Sequence, residues 1–330
     1  MACDVFDPYP KNSRESFYDR EDTLNEVKKL IQGKFWPLII GPKRVGKTSI
    51  VKIVVNELNG VYIDASGITS LKQLASSLYN EIKFRFQIDL KVLKVDIDKK
   101  PTFSLQNILT KLGDVVIGID EVQNITTPWF ISVLSTAYNT SDVKFIFTGS
   151  MIGLSKVLVG ESKGKKFSNQ FKGRPIVEKE ISPFSYEESV SFLAYGKERC
   201  SINMTEEEIK DSAETYQGIV GWLTYYGNLR SLGYDHKKAK EEVDNIASRI
   251  ILDEYARLGE IEKVIVKALG LLKSSNWNNL KKVCEGLLGK KISDWNFDHS
   301  LKQLIKARII YKKDGKYFLI DPMYKVLIRD

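Results

Sequence analysis

The chain has 330 residues, long enough for a full hydrophobic core with one or two satellite domains. Hydrophobic residues at 43% and charged residues at 28% exclude a disordered or fibrous chain and leave an ordinary globular one. Lys and Arg number 50 against 42 Asp and Glu, an excess of eight that is compatible with a nucleic-acid partner but too small to require one. Cys3, Cys200 and Cys284 are odd in number and far apart, which predicts neither a disulfide framework nor a zinc cluster and points to a reducing cytoplasm. His236 and His299 have no ligand spacing around them, so an imidazole metal site is not expected. No apolar run approaches the roughly 18 residues of a membrane span. Asp4 and Asp7 fall where a signal peptide would need its apolar core, so no membrane partner is expected either.

In chain order, residues 1–182 alternate apolar strand-like runs with amphipathic segments, the signature of a parallel sheet covered by helices on both faces. Strands are predicted at residues 37–40, 61–65, 115–120, 144–148 and 176–181, each short and rich in Val or Ile as a strand buried on both sides should be. The charged run KVLKVDIDKK, residues 91–100, reads as a solvated loop. Residues 183–258 read as helices, and Ser185 with Glu188 and Thr205 with Glu208 stand at capping-box spacing. Residues 259–330 carry three helical patterns, IEKVIVKALGLL, WNNLKKVCEGLLG and FDHSLKQLIKARII, and then YKKDGKYFLID, two strands around an Asp-Gly turn. Three helices followed by a hairpin is the winged-helix arrangement. The predicted organisation is therefore an α/β core at 1–182, a helical lid at 183–258 and a winged helix at 259–330.

The stretch LIIGPKRVGKTS, residues 38–49, places glycine, four residues, glycine, lysine and threonine between a strand and a helical pattern. That context makes it a phosphate-binding P-loop. Gly41 and Gly46 let the backbone turn tightly, so that N–H groups converge on phosphate at a helix N-terminus. The loop Pro42, Lys43, Arg44 and Val45 and the helix start Lys47, Thr48 and Ser49 form the cradle. Lys47 reaches the β- and γ-phosphates, and the Thr48 hydroxyl is placed to ligate magnesium, so ATP and Mg2+ are the expected cofactors.

A second acidic element must help to hold the metal, and DVVIGIDEVQNI supplies it at the end of a β-branched strand. Asp120 is assigned to the magnesium shell and Glu121 to orienting and polarising the attacking water. Adjacent acids here separate ATP-hydrolysing machines of the additional-strand class from kinases. The next strand, KFIFTGS, ends in Thr148 and Ser150, which either sense the γ-phosphate and the water or cap the following segment MIGLSKVL. Sensing is the favoured role for Thr148, and Ser150 is left between the two.

In their order, FYDREDTLNEV, GPKRVGKTS, VVIGIDEVQ, FIFTGS, GRPIVEKEISPFSYEE and YQGIVGWLTYYG resemble the archaeal-type P-loop ATPases, within the AAA+-like signal-transduction ATPases with numerous domains. The resemblance covers nearly the whole chain. It implies an additional-strand, three-layer P-loop fold with a helical lid and a C-terminal winged helix. It implies that Tyr18, Asp19 and Arg20 lie along the adenine, and that Arg174 approaches a γ-phosphate in this or a neighbouring subunit, neutralising charge in the transition state. At the lid's glycine turn this chain has Val220 where the family has a base-touching proline, and in the lid only Arg230 offers itself as a sensor arginine. The implied function is an ATP-binding, slowly hydrolysing switch whose winged helix contacts a partner. The alternatives are a DNA-binding ATPase resembling origin-recognition initiators and a nucleotide-binding scaffold without hydrolysis. Residues 293–309 would be a recognition helix for duplex DNA, with Lys302, Lys306 and Arg308 on it and Lys312, Lys313 and Lys316 on the wing, but Asp294 and Asp298 sit at its start. A protein partner or a second copy of the chain is the competing expectation for that domain.

Overall fold

The computed structural model describes residues 4–86, 101–150, 158 and 176–328, which group into two units. The sheet unit comprises Pro10–Gly41 and Gly46–Ile181, and the helical unit comprises Met1–Tyr9, Pro42–Val45 and Ser182–Asp330. The expected loop at 91–100, the segment MIGLSKVL apart from Leu158, and Arg174 lie outside the described residues.

The sheet unit is built on five parallel strands, β1 (Trp36–Ile40), β2 (Val61–Asp64), β3 (Val116–Asp120), β4 (Lys144–Gly149) and β5 (Ile176–Glu180), in the order β2-β3-β4-β1-β5. Each begins and ends within one residue of its predicted place. Strand β4 lies between β1 and β3, which is the insertion that defines the additional-strand class. β1 and β3 are buried at every position, as continuous apolar runs in a parallel sheet must be. β5 forms an edge and is only partly covered. Phe145 and Phe147 on β4 stack at 5.5 Å, and Trp36 meets Phe145 edge-on at 4.8 Å.

Helices α1 (Glu21–Gln32), α2 (Lys47–Glu57), α3 (Leu71–Phe86), α4 (Pro101–Lys111) and α5 (Pro128–Thr140) complete this unit. α1 buries Leu24, Val27 and Ile31, a spacing that marks one face of a 3.6-residue helix. Thr127 opens α5 by accepting a hydrogen bond from the Phe130 N–H at 3.2 Å, with Pro128 in the first turn, where its missing N–H costs nothing. One glycine sets the position of the site. A Cβ at Gly118 on β3 would fall 2.6 Å from Val51 and 2.7 Å from Val55, so its absence lets α2 settle directly onto β3.

In the helical unit, α6 (Tyr186–Arg199), α7 (Glu206–Tyr216), α8 (Val220–Ser231) and α9 (His236–Ala256) precede α10 (Glu260–Leu272), β6 (Ser274–Asn276), α11 (Trp277–Leu288), α12 (Asp294–Lys306), β7 (Ile310–Lys313) and β8 (Lys316–Leu319). Both predicted capping boxes form, Ser185 with Glu188 and Thr205 with Glu208. β6 has no counterpart in the sequence reading, because a three-residue polar strand carries no apolar signal. It pairs antiparallel with β8 in a sheet of order β6-β8-β7. Helix, strand, helix, helix and two strands is the winged-helix order. Phe6 is fully buried against Gly196 on α6 and Gly227 on α8, where added Cβ atoms would come within 2.1 and 2.3 Å of its ring, and it meets Phe192 edge-on.

Cys200 is disulfide-bonded, whereas the number and spacing of the cysteines led to the expectation of no disulfide framework and a reducing compartment. Distance along the chain sets no lower limit on distance in space, so spacing alone could not exclude the bond. Cys284 is free and buried, and burial pushes its thiol up to about 12. Among the described residues no helix is long and apolar enough to cross a membrane.

Because Phe6 is the plug between two glycine-lined helices, Phe6→Ala is expected to lower the unfolding free energy by about 3–5 kcal/mol, read by chemical denaturation.

Candidate functional site

Beyond Ile40 the chain leaves β1 through Gly41 and enters α2 at Lys47. Arg44 has φ +65° and Gly46 φ +94°, left-handed residues on either side of Val45. Such alternation turns successive N–H groups toward one point and makes an anion-binding concavity. Gly46 is the N-cap of α2 and no side chain caps that end, so the first N–H groups of the helix are aimed out of its start. Lys47 is 6% exposed and its ammonium donates to the Gly41 carbonyl at 3.0 Å, closing the loop on itself. The Ser49 hydroxyl accepts from the Lys11 N–H at 3.0 Å. The Phe17 ring lies 3.5 Å from where a Gly46 Cβ would stand. Of the expected adenine contacts that follow Phe17, Tyr18 is half-buried, Asp19 is exposed with φ +43°, and Arg20 is the N-cap of α1.

Asp120 ends β3 and is 4% exposed. One of its oxygens, Oδ2, accepts from the Thr48 hydroxyl at 2.7 Å and from the Tyr62 hydroxyl at 2.9 Å. The other, Oδ1, accepts from the Glu121 N–H at 3.1 Å and from the Thr148 hydroxyl. Thr148, fully buried on β4, also accepts from the Glu121 N–H at 2.9 Å, so it links both acids. Glu121 has φ +51°, a left-handed conformation that costs a non-glycine residue on the order of 1–3 kcal/mol and is over-represented where chemistry needs a side chain re-aimed. The Gln123 side-chain amide donates to its carboxylate. Burial, then the charge of Asp120, raise the Tyr62 phenol well above its ordinary range, which keeps it a proton donor to that carboxylate. Ser150 is buried at the end of β4.

A hydroxyl and a carboxylate in contact at one rim are the hard oxygen donors that suit magnesium, which takes few protein ligands and completes its shell with water and phosphate. Among the described residues no cluster of three or more His, Cys, Asp or Glu side chains could hold a metal unaided. Sequence reasoning missed Tyr62, although a polar residue in the run VYID was a usable signal.

Two further expectations concern cations that the helical unit engages. The Arg230 guanidinium donates to the Asn203 carbonyl at 2.6 Å and the Tyr226 hydroxyl at 3.0 Å and pairs with Glu208 at 3.1 Å, so it is built into the helical packing. In the loop segment, Lys43 pairs with Glu254 at 3.2 Å, and Arg44 contacts Glu254 at 2.6 Å and Asp321 at 3.1 Å. Burial raises the Asp321 carboxyl pKa, with the Arg44 charge, the Met323 N–H and the Trp222 N–H acting against it.

The family of ATPase domains predominantly from Archaea matches residues 17–225, and the chain belongs to it. It is an archaeal-type P-loop ATPase. A Walker-type ATPase of Pyrococcus abyssi, PABY2304, is 25% identical with a TM-score of 0.85 over 99% of this chain and 100% of that one. The ORC2 protein of Aeropyrum pernix, solved as ADPNP–ADP complexes, shares the fold at 15% identity and a TM-score of 0.69 over 98% of this chain and 95% of that one. The endoribonuclease YbeY of Bordetella parapertussis is 30% identical over 123 residues, which are 37% of this chain and 68% of that protein.

Tyr62→Phe removes one donor from a buried charged acceptor and is expected to cost about 1.5–3 kcal/mol of stability in urea unfolding.

Proposed function

We propose that the chain binds MgATP at the Gly41–Ser49 loop, hydrolyses it slowly, and acts as a nucleotide-dependent switch whose winged helix contacts a partner. The observation that carries this reading is the meeting of Thr48, Asp120 and Thr148 at the sheet rim beside a lysine-closed P-loop. Membership in the ATPase family and the fold shared with a protein solved with ADPNP and ADP support it. Lys47 would exchange the Gly41 carbonyl for phosphate oxygens, with the backbone of Pro42–Val45 and the helix start through Ser49 completing the cradle. Mg2+, held by Thr48 and Asp120, would neutralise charge between the β- and γ-phosphates. Glu121, anchored to Thr148 through its N–H, is the residue to polarise the attacking water. Arg174 is proposed to add positive charge at the γ-phosphate, and Tyr18, Asp19 and Arg20 to border the base. The domains are proposed to divide at 182 and 258.

Binding at a hundredfold excess over the dissociation constant adds about 2.7 kcal/mol of stability. Lys47→Ala should abolish the thermal shift produced by MgATP. Glu121→Gln should keep the shift and lose turnover by about 10²–10⁴-fold in a phosphate-release assay. Turnover at the parent's rate in Glu121→Gln would remove Glu121 from the mechanism.

A protein partner or second copy is the preferred occupant of the winged helix, but one observation favours duplex DNA. Asp294 is paired with Lys281 at 2.7 Å and Asp298 accepts from the Trp277 indole at 2.8 Å, so the acids at the start of α12 are already engaged, while Lys312, Lys313 and Lys316 are exposed on the wing. If DNA binds there, log affinity against log salt should steepen by about 0.9 for each phosphate contacted. A flat slope leaves the protein partner.

A further inference from the structure

The four residues between the two P-loop glycines group with the helical unit, and the contacts of Arg44 explain why. Its guanidinium lies 2.6 Å from Glu254 Oε1 on α9 and 3.1 Å from Asp321 Oδ2 just after β8, and its Cζ stands 4.6 Å from the centre of the Trp222 ring on α8. These partners are themselves fixed. The Trp222 indole donates to both oxygens of Asp321 at 2.9 and 3.0 Å, the Met323 N–H donates to Asp321 at 2.9 Å, and the Tyr324 hydroxyl donates to Glu254 at 3.2 Å. The Arg44 carbonyl accepts from the Gly221 N–H at 2.9 Å, and a Cβ at Gly221 would press to 2.9 Å from the Arg44 Cβ. Trp222 is fully buried and Asp321 is 8% exposed.

This cluster surrounds a residue whose backbone is left-handed, φ +65°, a conformation that favours glycine. That same conformation turns the following N–H groups toward the phosphate position. We propose that Arg44 is a positioning residue: Glu254, Asp321 and Trp222 hold it left-handed, so the affinity of the loop for triphosphate is set from α8, α9 and the segment after β8. The inference rests on the reading that the loop binds MgATP. By linkage, a cluster that sets nucleotide affinity is itself shifted by nucleotide.

The test is MgATP affinity by titration calorimetry in the parent and in Asp321→Asn, Arg44→Ala and Arg44→Gly, with folding verified by circular dichroism. Asp321→Asn and Arg44→Ala should each weaken binding about tenfold, within the range that an unsupported left-handed residue represents. Arg44→Gly should bind several-fold more tightly than Arg44→Ala, because both lack the cation but only glycine takes the conformation freely. Asp321→Asn introduced into Arg44→Gly should add no further loss. MgATP should also change the tryptophan emission of the parent, and Trp222→Phe should remove that change. Parent-like affinity in Asp321→Asn overturns the proposal, as does an Arg44→Gly no better than Arg44→Ala. If Asp321→Asn does not fold, the Arg44→Gly and Arg44→Ala comparison decides alone. A parent that binds no MgATP at all defeats the functional reading instead, a result the variants would not mimic.

Discussion

A carboxylate taken out of water persists as a charge only where donors surround it, and Asp120 is 4% exposed with four of them. The donors come from four places: the helix start at Thr48, strand β2 at Tyr62, strand β4 at Thr148, and the backbone turn at Glu121. None of these is a neighbour of the others in sequence except through the fold. Holding one acid therefore fixes the register of three strands and the height of α2 above them. Gly118 contributes from below, since any side chain there would lift α2 off β3 and carry Thr48 away from the acid.

The strained backbone positions of the site lie in the loops that leave this arrangement. Glu121 and Arg44 are both left-handed without being glycine, and each has its side chain or its neighbours tied by hydrogen bonds. Glycine would take either conformation without strain. A residue other than glycine there keeps a side chain, in one case the carboxylate proposed to polarise water and in the other a guanidinium that Glu254 and Asp321 hold. Tertiary contacts offset the strain, which is the usual condition for its survival.

The two units also differ in what stabilises them. The sheet unit is a layered core in which aromatic residues of β4 and Trp36 stack between helices. The helical unit relies on caps, engaged cations and one plug: Ser185 and Thr205 start helices, Arg230 joins three groups, and Phe6 fills the gap that Gly196 and Gly227 leave. Surface ion pairs such as Lys290 with Glu260 add little, because water screens them.

Features decided within a few residues were legible in the sequence. The five strands followed from β-branched runs, the helix starts from Ser and Thr three residues before Glu, and the P-loop from its glycine and lysine spacing, since each depends on local hydrogen bonds and side-chain period alone. Even the place of β4 between β1 and β3 was implied by the tandem acid and the family resemblance. The tertiary structure alone decided the rest. It gave Tyr62 to Asp120 across 58 residues, joined Arg44 to Glu254 and Asp321 across 210 and 277, paired the polar β6 with β8, and brought Cys200 into a disulfide. Such contacts depend on which surfaces the packed elements bring together, and no pattern confined to one stretch of chain encodes that.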